Sequence, residues 1–384
     1  MMVVLYKGIM KRNIANPFLC QGYDGPKYFC DRKVETQKLI STLRNGRNIT
    51  LISPRRLGKT GLIWNAFYQI QSENKDALCI YLDIFPTKSQ AELVNMLGSS
   101  VINTALSKGK VFGRKVLEVL GGLRPVVGID GLTGMPNVTV NIDPTQAEMS
   151  IKSIFTHLNR IEKEVFIAID EFQQITTYPE SGTEAMLRSY IQFLPNVHFI
   201  FSGSKQHLMS EMFLSPQRPF YQSTDVMNLT TLDEQAYYEF SNAFFEGRGG
   251  GIDKEVFHEL YSIFDGYTWY IQSVLNRLYE NYRRVDSVVQ LRSTILSVVE
   301  NKAPQYESLT QFLTDNQFAV LKAIAKEGIA KELTGKDFIK KYRLSGASSV
   351  KTALETLSDK ELVYRMNDGY IVYDRFLALW LGRL

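Results

Sequence analysis

The sequence predicts an α/β fold with a parallel central sheet and a phosphate-binding loop, followed by a helical region and a C-terminal winged helix. Three observations carry that prediction. The apolar strand Ile49-Thr50-Leu51-Ile52 runs into Ser53-Pro54-Arg55-Arg56-Leu57-Gly58-Lys59-Thr60 and then into a helical pattern at Leu62, Ile63, Ala66 and Phe67. Further along, Val165-Phe166-Ile167-Ala168-Ile169 forms a nearly unbroken apolar run, as in a strand buried on both faces, and ends in Asp170-Glu171. Between and around these lie further short apolar strands alternating with amphipathic helices, the pattern of a parallel sheet with helices on both faces.

The first motif has the context that a P-loop needs: strand, tight loop, Gly-Lys-Thr, helix. The backbone from Ser53 through Pro54, Arg55, Arg56, Leu57 and Gly58 to Lys59, Thr60 and Gly61 would cradle phosphates, because its amides and the helix dipole favour negative charge at one spot. Lys59 would reach the β- and γ-phosphates, and the Thr60 hydroxyl would complete a Mg²⁺ shell. Ser53 stands where the usual pattern has glycine. The Asp170-Glu171 pair reads as Walker B: Asp170 would hold Mg²⁺ through a water, and Glu171 would polarise the attacking water. The two motifs together predict a P-loop NTPase.

The chain as a whole fits such a protein. It has 384 residues, room for two or three domains. Hydrophobic content of 45% and charged content of 22% are ordinary for a globular protein, and a net charge of +4 does not by itself announce nucleic acid. Cys20, Cys30 and Cys79 show no metal-ligand spacing and fit a reducing compartment. His157, His198, His207 and His258 are scattered. No apolar run reaches the ~20 residues of a membrane span, and Met1 to Lys7 is too short and too soon charged for a signal peptide. Cytoplasm is the expected location.

The first stretch, 1–48, carries Asn16-Pro17-Phe18 and then Tyr28-Phe29-Cys30-Asp31-Arg32 before a helix with Val34, Leu39, Ile40 and Leu43 on one face. Two readings compete for it: a cover for adenine or ribose, with Phe18, Tyr28, Phe29 and Asp31 as candidates, or a segment packed on the sheet edge. The α/β core, 49–232, contains strands at Ile49–Ile52, Leu78–Leu82, Phe166–Ile169, Val197–Phe201 and Asp225–Leu229, with helices at Ala91–Leu106, Ala147–Ile161 and Ser181–Phe193. An insertion near 124–142 reads as a β-hairpin, serving either as an interaction element or as decoration of the sheet edge. Ser202-Gly203-Ser204 ends the strand beside the expected γ-phosphate, so Ser202 and Ser204 are sensor candidates. Arg218 lies in the next loop, where an arginine finger would act in cis or across a subunit boundary. Either Arg55 or Arg56 could meet phosphate.

The stretch 233–302 is helical by pattern, with Phe240, Ala243 and Phe244, then Leu260, Ile263 and Phe264, then Ile271, Val274, Leu275 and Leu278. A lid is the expected role. Gly247 to Gly251 is a flexible loop within it, not a second phosphate site. After a connector at 303–316, three helical patterns and a hairpin around Asn367-Asp368-Gly369 spell a winged helix over 317–384. From Gln317 on there are twelve Lys/Arg against eight Asp/Glu, a surplus of four that equals the whole net charge.

In this order the motifs resemble the prokaryotic "archaeal ATPase" family of AAA+/STAND-type ATPases, within the ASCE class, whose loop reads Gly-Pro-Arg-Arg-x-Gly-Lys-Thr. The resemblance covers essentially the whole chain. It implies a sheet ordered 5-1-4-3-2, ATP with Mg²⁺, a slow ATPase activity, Lys59 and Thr60 on phosphate and metal, Asp170 and Glu171 as Walker B, Ser202 or Ser204 as sensor, and Arg218 as the loop arginine. Two family features differ: Gly266-Tyr267-Thr268 stands where STAND lids often read Gly-x-Pro, and no histidine follows His258.

Two functions remain open. The protein is either an ATP-driven switch or remodeller acting on a protein partner through the winged helix or hairpin, or an ATP-dependent DNA-binding protein. It would work as a monomer or a nucleotide-dependent oligomer, without a membrane. The candidate recognition helix carries one cation, Lys351, with Lys340, Lys341 and Arg343 just before it, whereas base readout and phosphate contact call for more.

Overall fold

The computed structural model describes residues 14–120, 125–129, 136–366 and 369–384. They form two compact units, Gln21–Tyr237 with the described residues before Asn16, and Asn16–Cys20 with Tyr238–Leu384.

The first unit runs α1 (Lys33–Arg44), β1 (Ile49–Ile52), α2 (Lys59–Glu73), β2 (Leu78–Asp83), α3 (Gln90–Ser107), α4 (Lys110–Val119), β3 (Pro125–Ile129), β4 (Pro136–Val140), α5 (Ala147–Asn159), β5 (Val165–Asp170), α6 (Thr183–Ile191), β6 (Val197–Gly203), α7 (Gln206–Leu214) and β7 (Asp225–Asn228). The central sheet has the order β2-β5-β6-β1-β7, every pair parallel. With the five strands numbered in chain order and the hairpin set aside, this is the expected 5-1-4-3-2.

Two-residue periodicity divides the strands between two cores. Phe166, Ala168 and Ile200 join Leu39, Leu43, Leu62, Ile63 and Phe67 of α1 and α2 on one side. Ile167, Ile169, Phe199 and Phe201 join Val94, Val101, Ile154, Phe155 and Phe213 on the other. All six residues of β5 are buried. Parallel strands send all their C-terminal ends to one edge, and the connection from β6 to β7 crosses over β1, leaving a crevice at the end of that strand. That crevice is where α/β sheets bind ligands.

The expected hairpin is present as β3 and β4, paired from Pro125↔Val140 to Ile129↔Pro136. Its turn, and Arg124 before it, lie outside the described residues. Helix α3 satisfies the outer edge of β4 with side chains one turn apart. Asn95 Oδ1 accepts from the Ile142 amide at 2.8 Å, Ser99 Oγ from Val140 at 2.9 Å, and Asn103 Oδ1 from Val138 at 2.9 Å. Three polar positions at a spacing of four thus replace a neighbouring strand. Helix α4, amphipathic with Val116 buried, was not expected.

The second unit contains most of α8 (Glu234–Glu246), then β8 (Gly251–Ile252), α9 (Lys254–Ile263), α10 (Thr268–Asn281), β9 (Arg284–Val285), α11 (Val288–Thr310), α12 (Asp315–Glu327), α13 (Lys336–Tyr342), α14 (Ala347–Asp359), β10 (Val363–Met366), β11 (Gly369–Val372) and α15 (Arg375–Arg383). The 23-residue α11 begins in a capping box at Ser287 and Gln290 and runs through the expected boundary at 302/303. The segment expected as connector is therefore mostly its last turns. Phe18 belongs to this unit: it is fully buried with its ring against Phe244, Phe245 and Tyr279. Reciprocal amide bonds between the Asn16 and Asn276 side chains and the Asn276 and Phe18 carbonyls fix it there, so Phe18 is a core residue of the helical unit and not a pocket aromatic.

Helices α12, α13 and α14 with the β10–β11 hairpin make the expected winged helix. A bridge from Ala330 to Tyr370 joins the loop after α12 to the wing. The wing's Asn367-Asp368 turn lies outside the described residues. Helix α15, capped by Asp374, closes the module with Phe376, Leu377 and Leu381 buried.

Candidate nucleotide site

The loop after β1 turns at the sheet's C-terminal edge. Arg56 at φ 72° and Gly58 at φ 91° take left-handed backbone, which Gly58 adopts without steric cost. Ser53 is not among the residues with positive φ, so the first position of this loop does not need glycine. Its side chain is fully buried, and its hydroxyl donates to the Pro54 carbonyl at 3.0 Å.

Lys59 opens α2 and folds back into the loop. Its ammonium donates to Ser53 O at 2.9 Å and Pro54 O at 3.3 Å, and the side chain is 7% exposed. Burial pushes its pKa below the usual lysine value, while Asp170 and Glu171 pull it back up. The ammonium is thus held by loop carbonyl oxygens in a place poor in water.

Thr60 Oγ1 donates to Asp170 Oδ2 at 3.1 Å, joining the two motifs across 110 residues of sequence. Asp170 is 5% exposed and takes two more donors, the Tyr81 hydroxyl at 2.6 Å on Oδ2 and the Glu171 amide at 3.0 Å on Oδ1. A threonine hydroxyl beside a carboxylate is an oxygen-only donor set of the kind Mg²⁺ takes together with waters and phosphate, so the residues fit that ion.

Glu171 sits at φ 54° at the head of the turn after β5. Its Oε2 accepts from Ser204 Oγ at 2.7 Å and from Gln173 Nε2 at 2.5 Å, and Arg55 Nε donates to Ser204 Oγ at 3.3 Å. The Arg55 guanidinium also lies 5.7 Å from the centroid of the exposed Phe85 ring. Asp83, opposite Asp170 in register, adds a third carboxylate; burial, then Asp170 and Glu171, push its pKa up.

The structure therefore gathers Ser53, Arg55, Lys59, Thr60, Asp170, Glu171 and Ser204. Ser202, the other sensor candidate, is fully buried in β6 and its hydroxyl has no partner among the described residues. Arg218 is held elsewhere, with Nη2 2.6 Å from Glu184 Oε2 and Nη1 3.4 Å from Glu211 Oε1. Phe29 does approach the loop: a Cβ at Gly61 would lie 3.2 Å from its ring, and Tyr23 packs against it at 5.9 Å while bonding Asn65. Asp31 is exposed.

Three contributors were not singled out from the sequence: Tyr81, Gln173 and Arg32. The Arg32 guanidinium is 4% exposed and donates to Glu35 at 2.7 Å, to Leu57 O within the loop at 3.4 Å, and to Thr230 O at 2.5 Å after β7. It ties the helix before β1, the P-loop and the end of the sheet together. Arg32→Ala is expected to lose about 2–3 kcal/mol of stability, the scale of buried hydrogen bonds from a charged donor, and to lower the thermal unfolding midpoint accordingly.

Residues 29–274 match the family described as an ATPase domain predominantly from Archaea, and residues 304–383 match a probable winged helix domain. Comparison with curated proteins finds no match. Among solved structures, the chain is similar to the Walker-type ATPase of Pyrococcus abyssi, at 17% identity over 96% of this chain and 100% of that one, with a TM-score of 0.64. It is also similar to the Aeropyrum pernix ORC2 protein in its ADPNP–ADP complexes, at 15% identity over 96% and 95%, TM-score 0.57. The Aeropyrum pernix ORC1 protein in complex with DNA gives 12% identity over 96% of each chain and a TM-score of 0.54. At these identities the likeness to the solved structures is one of fold.

Proposed function

The chain belongs to the family of ATPase domains predominantly from Archaea, and from that premise we propose that it binds and slowly hydrolyses ATP and uses the cycle to switch or remodel a protein partner. The observation that carries this reading is the Thr60–Asp170 bond, which brings the P-loop and the Walker B strand into one site beside the buried ammonium of Lys59.

In this reading the loop amides from Ser53 to Gly61 and Lys59 hold the β- and γ-phosphates. Thr60 and Asp170 hold Mg²⁺, which when bound neutralises charge developing on the phosphates. Glu171 orients and polarises water, and Ser204, through its bond to that carboxylate, fills the sensor role better than Ser202. Phe29 and Tyr23 flank the nucleoside. Arg218, engaged with Glu184 and Glu211 in its own subunit, serves as a finger for a neighbouring subunit's nucleotide when ATP drives assembly. Three free cysteines and no membrane-crossing helix among the described residues agree with work in the cytoplasm.

DNA binding is the second reading, favoured by the exposed Lys340, Arg343 and Lys351 around the start of α14. Other groups near that surface already have local partners: Lys341 pairs with Glu327 at 2.6 Å, the Thr352 hydroxyl donates to Ser348 O at 3.2 Å, and the Ser345 hydroxyl to Asn316 at 3.3 Å. These bonds occupy part of the surface that would meet phosphates, and they weigh toward the protein-directed reading. The deciding experiment is steady-state ATP hydrolysis with Mg²⁺, with and without duplex DNA, using Lys59→Ala as the blank. Slow turnover indifferent to DNA is expected. Stimulation by DNA would transfer the case to the second reading, and turnover no higher than the blank would remove the ATPase reading itself.

A further inference from the structure

We infer that Gln173 is a positioning residue for Glu171: its side-chain amide and the Ser204 hydroxyl clamp one carboxylate oxygen so that the other faces the attacking water. This rests on the ATPase reading and adds a residue to it.

Gln173 lies in the 3₁₀ turn Phe172–Thr177 directly after β5, and its side chain is 4% exposed. Nε2 donates to Glu171 Oε2 at 2.5 Å. The other end of the amide is spent on nothing: Oε1 is buried and has no partner among the described residues. An orphaned buried oxygen keeps its desolvation cost with no bond to offset it. A methionine would fill the same volume without that cost. The packing therefore argues against a glutamine, and the donor end is what the position gains from having one.

The neighbouring strand makes room for it. A Cβ on Gly203 would stand 2.3 Å from Gln173 Oε1 and 2.5 Å from the Met209 side chain. Glycine between the two serines of β6 and its exit thus lets the amide slide under the strand end while Ser204 reaches Glu171 from the other side at 2.7 Å. The Thr176 hydroxyl donates to Gln173 O at 2.8 Å and steadies the turn. Both donors converge on Oε2, leaving Oε1 to accept from water. Because Arg55 of the P-loop donates to Ser204, the clamp is also wired to the loop that meets the phosphates. Glu171 needs such support, since its left-handed backbone is a conformation that a non-glycine residue keeps only when its surroundings enforce it.

The test is Gln173→Met in the full chain, with single-turnover ATP hydrolysis and ATP affinity measured separately beside the wild type. Loss of positioning is expected to lower the hydrolysis rate by about 10–100-fold with ATP affinity unchanged. A double-mutant cycle supplies the second readout. In a Glu171→Gln background the same substitution is expected to cost nothing further in residual rate, because the group it positions is gone. Equal losses in both backgrounds would show a merely structural residue and overturn the inference, as would a wild-type rate in Gln173→Met. Should that protein not fold, Gln173→Asn, which withdraws the donor by one methylene, goes through the same cycle. A wild-type protein that binds ATP but never turns it over would sink the ATPase reading instead, an outcome distinct from an active wild type with an equally active Gln173→Met.

Discussion

Glu171→Gln is expected to cut ATP turnover by about 10²–10⁴-fold, the range lost with a positioned general base, while ATP stays bound. The substitution keeps the shape of the side chain and replaces a carboxylate that accepts a proton with an amide that does not. Nothing that holds phosphate is touched: Lys59, Thr60 and Asp170 keep their bonds to Ser53, Pro54 and to each other. The Ser204 hydroxyl still finds an acceptor in the new amide oxygen, so the turn after β5 persists. Rate and occupancy must therefore separate. The measurement is single-turnover hydrolysis together with nucleotide retention after gel filtration, with Mg²⁺ present throughout. Unchanged turnover would leave Glu171 idle and make the protein a nucleotide-binding scaffold. Lost binding would mean that the side chain holds the loop and not the water.

The elements that position this site were legible because each writes its signature in a few consecutive residues. Val165–Ile169 is apolar at every position because β5 is covered on both faces, and the P-loop announces itself through strand, Gly-Lys-Thr and helix. The strand order came from resemblance, and the parallel register agrees with it. What stayed hidden is what arrives from far along the chain. Tyr81 looks like any aromatic in a strand until β2 is known to lie beside β5, which sets its hydroxyl on Asp170 from 89 residues away. Arg32 stands next to Asp31, and nothing in Phe29-Cys30-Asp31-Arg32 tells which side chain turns inward; the bonds of Arg32 to the Leu57 and Thr230 carbonyls, far along the chain, decide it. Gln173 reads as the polar end of a strand exit, and only the space left by Gly203 gives it a purpose. Helix α15 was missed for a different reason: Phe376, Leu377 and Leu381 are a short apolar tail whose periodicity has little length to show itself. Likewise Phe18 sits in a dipeptide context that says turn, and its burial depends on Asn276, 258 residues on.

Lys59→Met is expected to weaken ATP binding by at least about 10–100-fold, the worth of the charge-assisted bonds a lysine makes to phosphate, yet to leave the nucleotide-free protein no less stable. Two costs compete in the empty site. Removing the ammonium leaves Ser53 O without the donor it now has, about 1–3 kcal/mol, while Pro54 O keeps the Ser53 hydroxyl at 3.0 Å. Against that, an ion taken out of water carries a penalty of several kcal/mol, which an unbranched methionine of similar length does not. The second term is the larger, so the unliganded protein should melt at the same temperature or higher. The pH dependence checks the argument independently. Burial holds the Lys59 pKa below its unfolded value of 10.5, so across the window between the folded value and 10.5 the unfolded chain binds the extra proton. Stability due to this group therefore rises as pH increases through that alkaline window. Lys59→Met should flatten that rise, and in the wild type saturating ATP should suppress it, because phosphate oxygens favour the charged amine. Thermal unfolding from neutral to alkaline pH, with and without nucleotide, reads both effects. A destabilised Lys59→Met protein with the wild-type pH slope would mean that the ammonium is a structural tie of the loop, and that the site is not held ready for phosphate at the expense of the empty fold.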